Sequence, residues 1–181
     1  MIIELSGPAG SGKGTLSKML SLHLGLPYYD FGLLFRAIAY ANLQVQHLQL
    51  VNSRILFKGT DLTEIIQREE IGLIAARIAR DLKDLAISFV KHSDFICDGR
   101  TCGTEIYPNA DYKFYITAEE KERFHRRRID NGNIEIMLQR EMLDKPRLII
   151  PNNAIIIDTT AKIKEESLVE ILFYIKSGKG G

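Results

Sequence analysis

The sequence is poor in cysteine, in net charge and in long apolar runs, and each shortage excludes a class of protein. Cys97 and Cys102 are too few for a disulfide framework, and no histidine pair stands at the spacing of a zinc site. Lys plus Arg (24) nearly balances Asp plus Glu (23), without the basic excess typical of nucleic-acid binding. No apolar run reaches the roughly 20 residues of a membrane span, and the N-terminus lacks signal-peptide features. We therefore expect a soluble, cytoplasmic protein without nucleic-acid or membrane partners.

The length of 181 residues predicts one domain with at most a small appendage. Short apolar runs alternate with segments of helical periodicity, which predicts right-handed βαβ units and a parallel sheet covered by helices on both faces. The glycine-rich end, residues 177–181, is expected to be a flexible tail. Strands are expected at 2–5, 27–30, 95–97, 112–116 and 154–157, a hairpin at 48–51 and 55–58, and helices at 13–24, 33–41, 62–90 with a break near 80–82, 118–130, 134–143 and 163–175.

A glycine-rich segment, GPAGSGKGT, joins the first predicted strand to the first predicted helix. Gly7 and Gly12-Lys13 have the spacing of a phosphate-binding loop, but Gly14 takes the place where Ser or Thr is usual. Glycines let backbone N–H groups turn inward around phosphates, and the helix N-terminus adds positive potential. The loop predicts a nucleoside triphosphate site; the alternative is a turn without a ligand. The residues expected to bind it are Gly7, Ala9, Gly10, Ser11, Gly12, Lys13, Gly14 and Thr15, with Lys13 at the β- and γ-phosphates and Thr15 on the magnesium side.

Several segments resemble bacterial cytidylate kinases, which are nucleoside monophosphate kinases. They are GPAGSGKGT, DFGLLFRAIA, FICDGRTCGTEIYPNADYKFYITAEEKERFHRRR and the later Arg140, Asp144 and Arg147, in the same order as in the family. The resemblance runs from Ile2 to about Lys176 and is weakest between Leu43 and His92. It implies transfer of the γ-phosphoryl group of ATP to CMP or dCMP, with magnesium, by a monomer acting in pyrimidine nucleotide metabolism.

The resemblance also implies an α/β P-loop kinase fold, with a five-stranded parallel sheet, a small arm for the nucleoside monophosphate and an arginine-rich lid. On this view residues 1–176 are a single domain, in which about 42–92 form a reduced arm and about 127–147 the lid. The family arm is a three-stranded sheet. Only Gln44 to Asp61 is available for it here, so two strands are expected.

Asp98 follows the strand at 95–97, at a place where a carboxylate can organise magnesium through its water shell. The alternative is a turn-forming aspartate before Gly99. Arg100 and Arg36 match family arginines that hold the acceptor phosphate, and the planar fork of arginine bonds two phosphate oxygens at once. For Arg36, an ion pair on a helix surface is the alternative.

The predicted helix at 118–130 is rich in charge, and the pairs Glu119–Arg123 and Glu122–Arg126 explain part of it as a solvated face. The resemblance gives Arg123 and Arg127 contacts to the ATP phosphates. A patch for nucleic acid is disfavoured because no aromatic platform accompanies the charges.

Arg140 and Asp144 are four residues apart and share one helical face. With Arg147 they match the lid triad of the family, in which arginines touch phosphates and the carboxylate contacts the ribose. An ion pair between Arg140 and Asp144 is the alternative. The residues expected to act in catalysis are Lys13, Asp98, Arg127 and Arg140.

The positions that contact the acceptor depart from the family. Phe31 stands where the family has a serine against cytosine, and Thr101 replaces an aspartate that bonds the base amino group. Gln67 replaces an arginine, although Arg68 is adjacent, and Lys83 aligns with a later arginine. Because buried polar groups supply much of substrate discrimination, these changes predict a relaxed or shifted acceptor preference.

Three functions remain open on the sequence. The first is a nucleoside monophosphate kinase, the second is a kinase of another small molecule on the same scaffold, and the third is a nucleotide-binding protein without catalysis. A GTPase is disfavoured because no Asn-Lys-x-Asp segment is present.

Overall fold

A computed structural model describes residues 1–41, 44–51, 54–78, 81, 83–129, 133–146 and 148–178, with the backbone only at Val51, Glu69, Arg140 and Asp144. The strands are β1 (Ile2–Ser6), β2 (Tyr28–Asp30), β3 (Leu48–Val51), β4 (Arg54–Phe57), β5 (Thr60–Asp61), β6 (Phe95–Asp98), β7 (Tyr112–Thr117) and β8 (Ile155–Asp158). The helices are α1 (Lys13–Leu24), α2 (Phe31–Tyr40), α3 (Glu69–Ile78), α4 (Lys83–Ile87), α5 (Glu120–Ile129), α6 (Ile134–Asp144) and α7 (Lys164–Lys176).

The main sheet has five strands in the order β2-β6-β1-β7-β8, and every neighbouring pair is parallel. This confirms the predicted five-stranded parallel sheet. Because all the strands run the same way, their carboxyl ends meet at one edge, where the loops after β1, β6, β7 and β8 converge.

Helices cover both faces of the sheet, as the sequence predicts. Along β6 the side chains alternate, so Phe95 and Cys97 join one apolar cluster while Ile96 joins the other. The first cluster includes residues of α2 and α3, and the second includes residues of α1 and α7. Fully buried aliphatic side chains such as Leu20 and Ile38 each contribute about 1.5–3 kcal/mol through the hydrophobic effect.

The helix predicted over 62–90 begins further along the chain and is shorter than expected. Its first part is a turn of 3-10 helix, Ile65–Gln67, in which the Ile66 amide donates to the Leu62 carbonyl at 3.0 Å. Ile66 is buried in the core by this turn. The apolar residues of the segment therefore have the spacing that is typical of a helix, although the segment is not part of one. The break predicted near 80–82 lies mostly outside the described residues, between the end of α3 at Ile78 and the start of α4 at Lys83.

The small sheet has three antiparallel strands, β3-β4-β5, so the expectation of two strands was wrong. The third strand is only two residues long, and its pairing to β4 follows a tight turn at Lys58-Gly59, where both residues have positive φ (50° and 83°). A two-residue strand carries no apolar alternation that the sequence would reveal. The predicted hairpin of β3 and β4 is confirmed, and its turn at Asn52-Ser53 lies outside the described residues.

In the described part of the chain, no helix combines the length and the apolar character needed to cross a bilayer.

Glu4 is a fully buried acid on the central strand β1. The Ser6 hydroxyl donates to its Oε1 at 3.5 Å, and Oε2 has no hydrogen-bond partner among the described residues. A Cβ at Gly103 would stand 2.1 Å from Oε1, so only glycine fits beside the carboxyl. Burial raises the pKa of Glu4 to about 8, although Ser6 and Lys113 oppose the shift. At neutral pH the carboxyl group is therefore mostly protonated.

We expect the buried carboxyl group of Glu4 to make stability fall as the pH rises. From about pH 4.5 to about pH 8 the unfolded chain loses the Glu4 proton while the folded chain keeps it, since the pKa of Glu4 is raised to about 8 in the fold. Glu4→Gln removes this titration. Over that pH range, the unfolding free energy of Glu4→Gln minus that of the wild type should therefore increase by up to about 1.4 kcal/mol per pH unit. Urea unfolding at a series of pH values measures the difference.

The exposed Glu64 provides the matched control, because Glu64→Gln should track the wild type at every pH. Lys113, Cys97 and Cys102 are the other titratable groups that interact with Glu4, and they are the same in all three proteins. A difference between Glu4→Gln and wild type that does not change with pH would contradict the interpretation.

Candidate active site

The loop between β1 and α1 is held in a shape that only glycines allow. Gly7, Gly10 and Gly12 have φ values of 140°, 74° and 91°. A Cβ at Gly7 would lie 2.1 Å from the Ile116 carbonyl oxygen, and one at Gly10 would lie 2.9 Å from the Arg123 carbonyl oxygen. The loop therefore packs backbone against backbone on the neighbouring segments.

Side chains bind four successive carbonyl groups of this loop. Lys13 Nζ donates to Pro8 O at 3.2 Å, and Arg123 Nη1 donates to Ala9 O at 3.0 Å. Arg126 Nη1 donates to Gly10 O at 3.4 Å, and the Thr159 hydroxyl donates to Ser11 O at 2.9 Å. Within the described part of the chain, the amides of residues 9–12 donate no hydrogen bond. A loop arranged in this way keeps its N–H groups for an anion.

A cleft of about 310 Å³ opens beside the loop. It is bounded by the loop, the start of α2, one face of α3, the residues after β6, and parts of α5 and α6. Its charged lining residues are Lys13, Asp30, Arg36, Asp98, Arg100 and Arg127. Of the predicted loop residues, Ala9, Gly10, Lys13 and Gly14 line the cleft, while Gly7, Ser11, Gly12 and Thr15 do not.

Two carboxylates, Asp30 and Asp98, lie at this end of the sheet, where they are the last residues of the paired strands β2 and β6. Burial, with the negative charge of Asp30, raises the pKa of Asp98 to about 8, although Lys13 opposes the shift. A Cβ at Gly14 would stand 3.3 Å from Asp98 Oδ2, so glycine leaves space between the loop and this carboxylate. Buried acidic groups in mutual repulsion, with space beside them, suit a cation.

These residues fit magnesium rather than a metal that needs a full set of protein ligands. Among the residues that the structure describes, no group of three or more His, Cys, Asp or Glu side chains is placed to hold a metal. Magnesium commonly takes one or two carboxylates and completes its shell with water and phosphate oxygens. Thr15 is exposed and lies about 100° further round α1 than Gly14, so the structure does not bring its hydroxyl to Asp98.

Positive charge also gathers at the cleft, which both Arg36 and Arg100 line. The pKa of Arg100 is lowered to about 10, mainly by burial; the charge of Glu141 opposes this shift, and the charges of Arg36 and Arg123 add to it. The structure thus brings these two predicted residues together. An anion placed between the guanidinium groups would relieve their repulsion and gain bidentate hydrogen bonds.

The two predicted arginines of α5 have different surroundings. Arg127 lines the cleft, as the resemblance implies. Arg123 is buried, binds the Ala9 carbonyl and pairs with Glu141 of α6, and it does not line the cleft. The expected direct contact of Arg123 with phosphate is therefore replaced here by a contact with the backbone of the loop. The reason is geometric, because Gly10 packs directly on the Arg123 backbone.

The predicted lid residues are only partly described. The backbone of Arg140 and that of Asp144 lie on α6, and Arg147 lies outside the described residues. Elsewhere on α6, Ile136 and Met137 line the cleft.

The part of the cleft lined by Phe31 and Thr101, which are predicted to contact the acceptor, is a largely apolar wall. Phe31 is fully buried at the start of α2, and its ring meets the Tyr107 ring edge-on at 5.9 Å between centroids. Thr101 is buried and lines the cleft together with Phe31. The remaining apolar lining residues include Leu33, Phe35, Ala75, Ala76, Ile106 and Met137.

Three predicted acceptor residues are not brought to this cleft. Gln67 and Arg68 are exposed at the 3-10 turn before α3, and Lys83 is half-buried on α4. None of them lines the cleft. Their roles stay predictions.

Sequence reasoning missed Arg126 and Thr159 as loop contacts. The Glu122–Arg126 ion pair is present at 2.9 Å, but the same guanidinium also reaches the loop. Thr159 directly follows β8, in one of the loops expected to approach the ligand. The signal available in the sequence was a residue with a hydroxyl group directly after the last strand, at the carboxyl edge of the sheet.

Comparisons with known proteins agree with this geometry. A family model described as "Cytidylate kinase" matches residues 3–177. The chain is 30% identical to the cytidylate kinase of Clostridioides difficile, with 95% of this chain and 96% of that protein covered. It is 31% identical to the cytidylate kinase of Nitrosococcus oceani, with 98% and 96% covered. Among solved structures, the shikimate kinase of Bacteroides thetaiotaomicron has a TM-score of 0.55 at 17% identity over 97% of this chain and 98% of that chain, a likeness of fold alone.

We expect Gly10→Ala to weaken anion binding at the loop without unfolding the protein. The new Cβ would meet the Arg123 backbone at 2.9 Å, which displaces the loop. The affinity for inorganic tripolyphosphate, measured by titration calorimetry, should fall at least about tenfold. Gly25→Ala is the matched control, since Gly25 also has a positive φ (66°) but nothing lies within 4 Å of its Cβ position. Each variant should lose about 1–2 kcal/mol of stability from the left-handed backbone. Equal tripolyphosphate affinity in both variants would contradict the assignment of the loop.

Proposed function

The chain belongs to the cytidylate kinase family, with the P-loop kinase fold, and from that premise we propose that it transfers the γ-phosphoryl group of ATP to CMP or dCMP. The family makes it an ATP-dependent nucleoside monophosphate kinase. One observation carries the proposal for the site: Lys13, Arg36, Arg100 and Arg127 line a single cleft beside the phosphate loop.

The donor and acceptor phosphates are held from opposite sides in this proposal. The amides of the loop and the ammonium group of Lys13 bind the phosphates of ATP. Arg36 and Arg100 hold the phosphate of the monophosphate, and Arg127, which lines the same cleft, contacts the phosphates of ATP. Phosphoryl transfer requires little covalent chemistry from the protein, because its barrier falls mainly through alignment and neutralisation of charge.

Asp98, with Asp30 beside it, would hold magnesium at the loop. Magnesium, when bound, neutralises charge on the β- and γ-phosphate oxygens. The protein's own part is to keep two carboxylates and an open position at Gly14 next to Lys13.

In this proposal, α6 and the apolar wall exclude water from the cleft. Ile136 and Met137 of α6 line the cleft, and water in the cleft would compete with the acceptor for the phosphoryl group. In the proposal about 127–147 act as the lid and about 42–92 as the acceptor arm, which includes the lining residues Gly72, Ala75 and Ala76.

The acceptor base is read by Phe31 and Thr101 in this proposal. The ring of Phe31 offers an apolar surface, and the Thr101 hydroxyl can either donate or accept a hydrogen bond. A hydroxyl group therefore tolerates both the amino group of cytosine and the carbonyl group of uracil. The second candidate is a kinase of another small molecule on this scaffold, and the presence of Phe31 and Thr101 in the cleft, in place of the polar residues of the family, supports it.

We expect ADP formation from ATP to depend on a pyrimidine monophosphate. CMP and dCMP should be the best acceptors, with UMP within about tenfold in kcat/KM, because a single hydroxyl discriminates weakly. AMP, GMP and shikimate complete the panel in a coupled ADP assay with magnesium.

Lys13→Ala provides the control for this assay, since it should lower turnover by about a thousandfold or more and leave the circular dichroism spectrum unchanged. Turnover with shikimate alone would support the second candidate. Nucleotide binding without turnover of any acceptor would show a protein that does not catalyse, and would contradict the proposal.

We expect Thr101→Asp to sharpen selectivity for cytosine. A carboxylate accepts a hydrogen bond from the cytosine amino group but repels the uracil carbonyl, so the ratio of kcat/KM for CMP over UMP should rise at least about tenfold. Thr101→Ser keeps a hydroxyl and should leave the ratio near that of the wild type. An unchanged ratio in Thr101→Asp would mean that this residue does not face the base.

A further inference from the structure

Of the four side chains that bind carbonyl groups of the loop, those of Arg123, Arg126 and Thr159 do not line the cleft and have no part in the proposed chemistry. Arg126 and Thr159 lie behind the loop, on its carbonyl side. We propose that they are positioning residues for the donor nucleotide, which set the direction of the Gly10 and Ser11 peptide groups so that the following amides face the phosphates. The inference rests on the proposed function only in naming ATP as the anion.

The guanidinium group of Arg126 joins three segments. Its Nε donates to Glu122 Oε1 at 2.9 Å, within α5. Its Nη2 donates to the Thr159 carbonyl oxygen at 2.7 Å, and its Nη1 lies 3.0 Å from the Thr159 hydroxyl and 3.4 Å from Gly10 O. The planar fork of arginine serves several acceptors in fixed directions, which a lysine would not.

Thr159 binds the next carbonyl group of the loop, that of Ser11. Its side chain is buried, its hydroxyl lies 2.9 Å from Ser11 O and 3.1 Å from Thr117 O, and its amide donates to Thr117 O at 2.9 Å. The hydroxyl has one proton, and the Arg126 donor on its lone pair favours sending that proton towards a carbonyl. Thr159 thereby ties the ends of β7 and β8 to the loop.

The loop needs such contacts because its glycines do not by themselves fix the direction of the peptide groups. Gly10 and Gly12 tolerate either direction of the adjacent peptide groups, since glycine populates positive and negative φ about equally. If the Ser11 peptide group turned over, a carbonyl dipole would face the phosphates in place of an N–H dipole. That change would replace an attraction by a repulsion at the point where charge is concentrated.

The matched variants separate positioning from folding. Thr159→Val keeps the shape and removes the hydroxyl, while Thr159→Ser keeps the hydroxyl and removes the methyl group. Arg126→Met removes the guanidinium group, and Arg128→Met is its control, because Arg128 is exposed and donates no hydrogen bond to the loop in the described part of the chain. Calorimetry gives the dissociation constant of ATP, steady-state kinetics give KM for ATP and for CMP, and thermal denaturation gives Tm.

We expect Thr159→Val and Arg126→Met to raise the dissociation constant and KM of ATP by about tenfold, as expected for one lost buried hydrogen-bonding group. The KM for CMP should change by less than about twofold, since the acceptor contacts are untouched. Thr159→Ser should return the ATP constants to within about threefold of the wild type, and Arg128→Met should match the wild type.

Three results would overturn the inference. The first is unchanged ATP binding in Thr159→Val. The second is a loss of ATP and CMP affinity in equal measure along with Tm, which would show a purely structural role. The third is a failure of Thr159→Ser to rescue. If the wild-type protein binds ATP but phosphorylates no acceptor, the proposed function fails while the calorimetric comparison still tests the two residues.

Discussion

The outward binding of four successive carbonyl groups in the loop between β1 and α1 is the constraint on which the site depends. Peptide groups are dipoles, so fixing the carbonyl end also fixes where the N–H end points. The anchors come from α5, from the end of β8 and from Lys13 at the start of α1. The parallel sheet matters here because it delivers the ends of β1, β7 and β8 to one edge, within reach of this loop.

The cleft brings together charges of both signs, with like charges held near each other. On one side Asp98 is held against Asp30, and the pKa of Asp98 is raised to about 8 by burial and by that neighbour. On the other side the pKa of Arg100 is lowered to about 10 by burial and by the charges of Arg36 and Arg123. A magnesium–phosphate complex carries the complementary pair of charges, so its binding relieves both repulsions at once. A catalytic site prepared in this way has less to reorganise when charge moves.

The fold was predictable because its main elements have strong local signals. Buried parallel strands are short apolar runs, and α1 begins directly after a glycine-rich loop, so both could be located from the sequence. The strand β5 and the 3-10 turn at Ile65–Gln67 escaped because two or three residues carry no periodicity. The phosphate loop was predictable for the same reason as the strands, since its spacing is local.

The connections around the loop were not predictable, because they depend on distant parts of the chain. Arg126 is 116 residues from Gly10, and Thr159 is 148 residues from Ser11. The resemblance gave Arg123 and Arg127 one role, but packing of Gly10 on α5 turns Arg123 to the loop backbone and leaves Arg127 in the cleft. Likewise, helix geometry and not residue type decides that Gly14 rather than Thr15 lies beside Asp98.

The most direct measurement is a titration of ¹⁵N-labelled protein with magnesium–ATP, followed by the amide resonances of residues 9–14. If the loop presents its N–H groups to the donor phosphates, these amide protons should move strongly downfield on binding, as charge-assisted hydrogen bonds form. The amides of the exposed turn at Lys58-Gly59 should stay unchanged. Saturable ATP binding that leaves residues 9–14 unshifted would contradict the account.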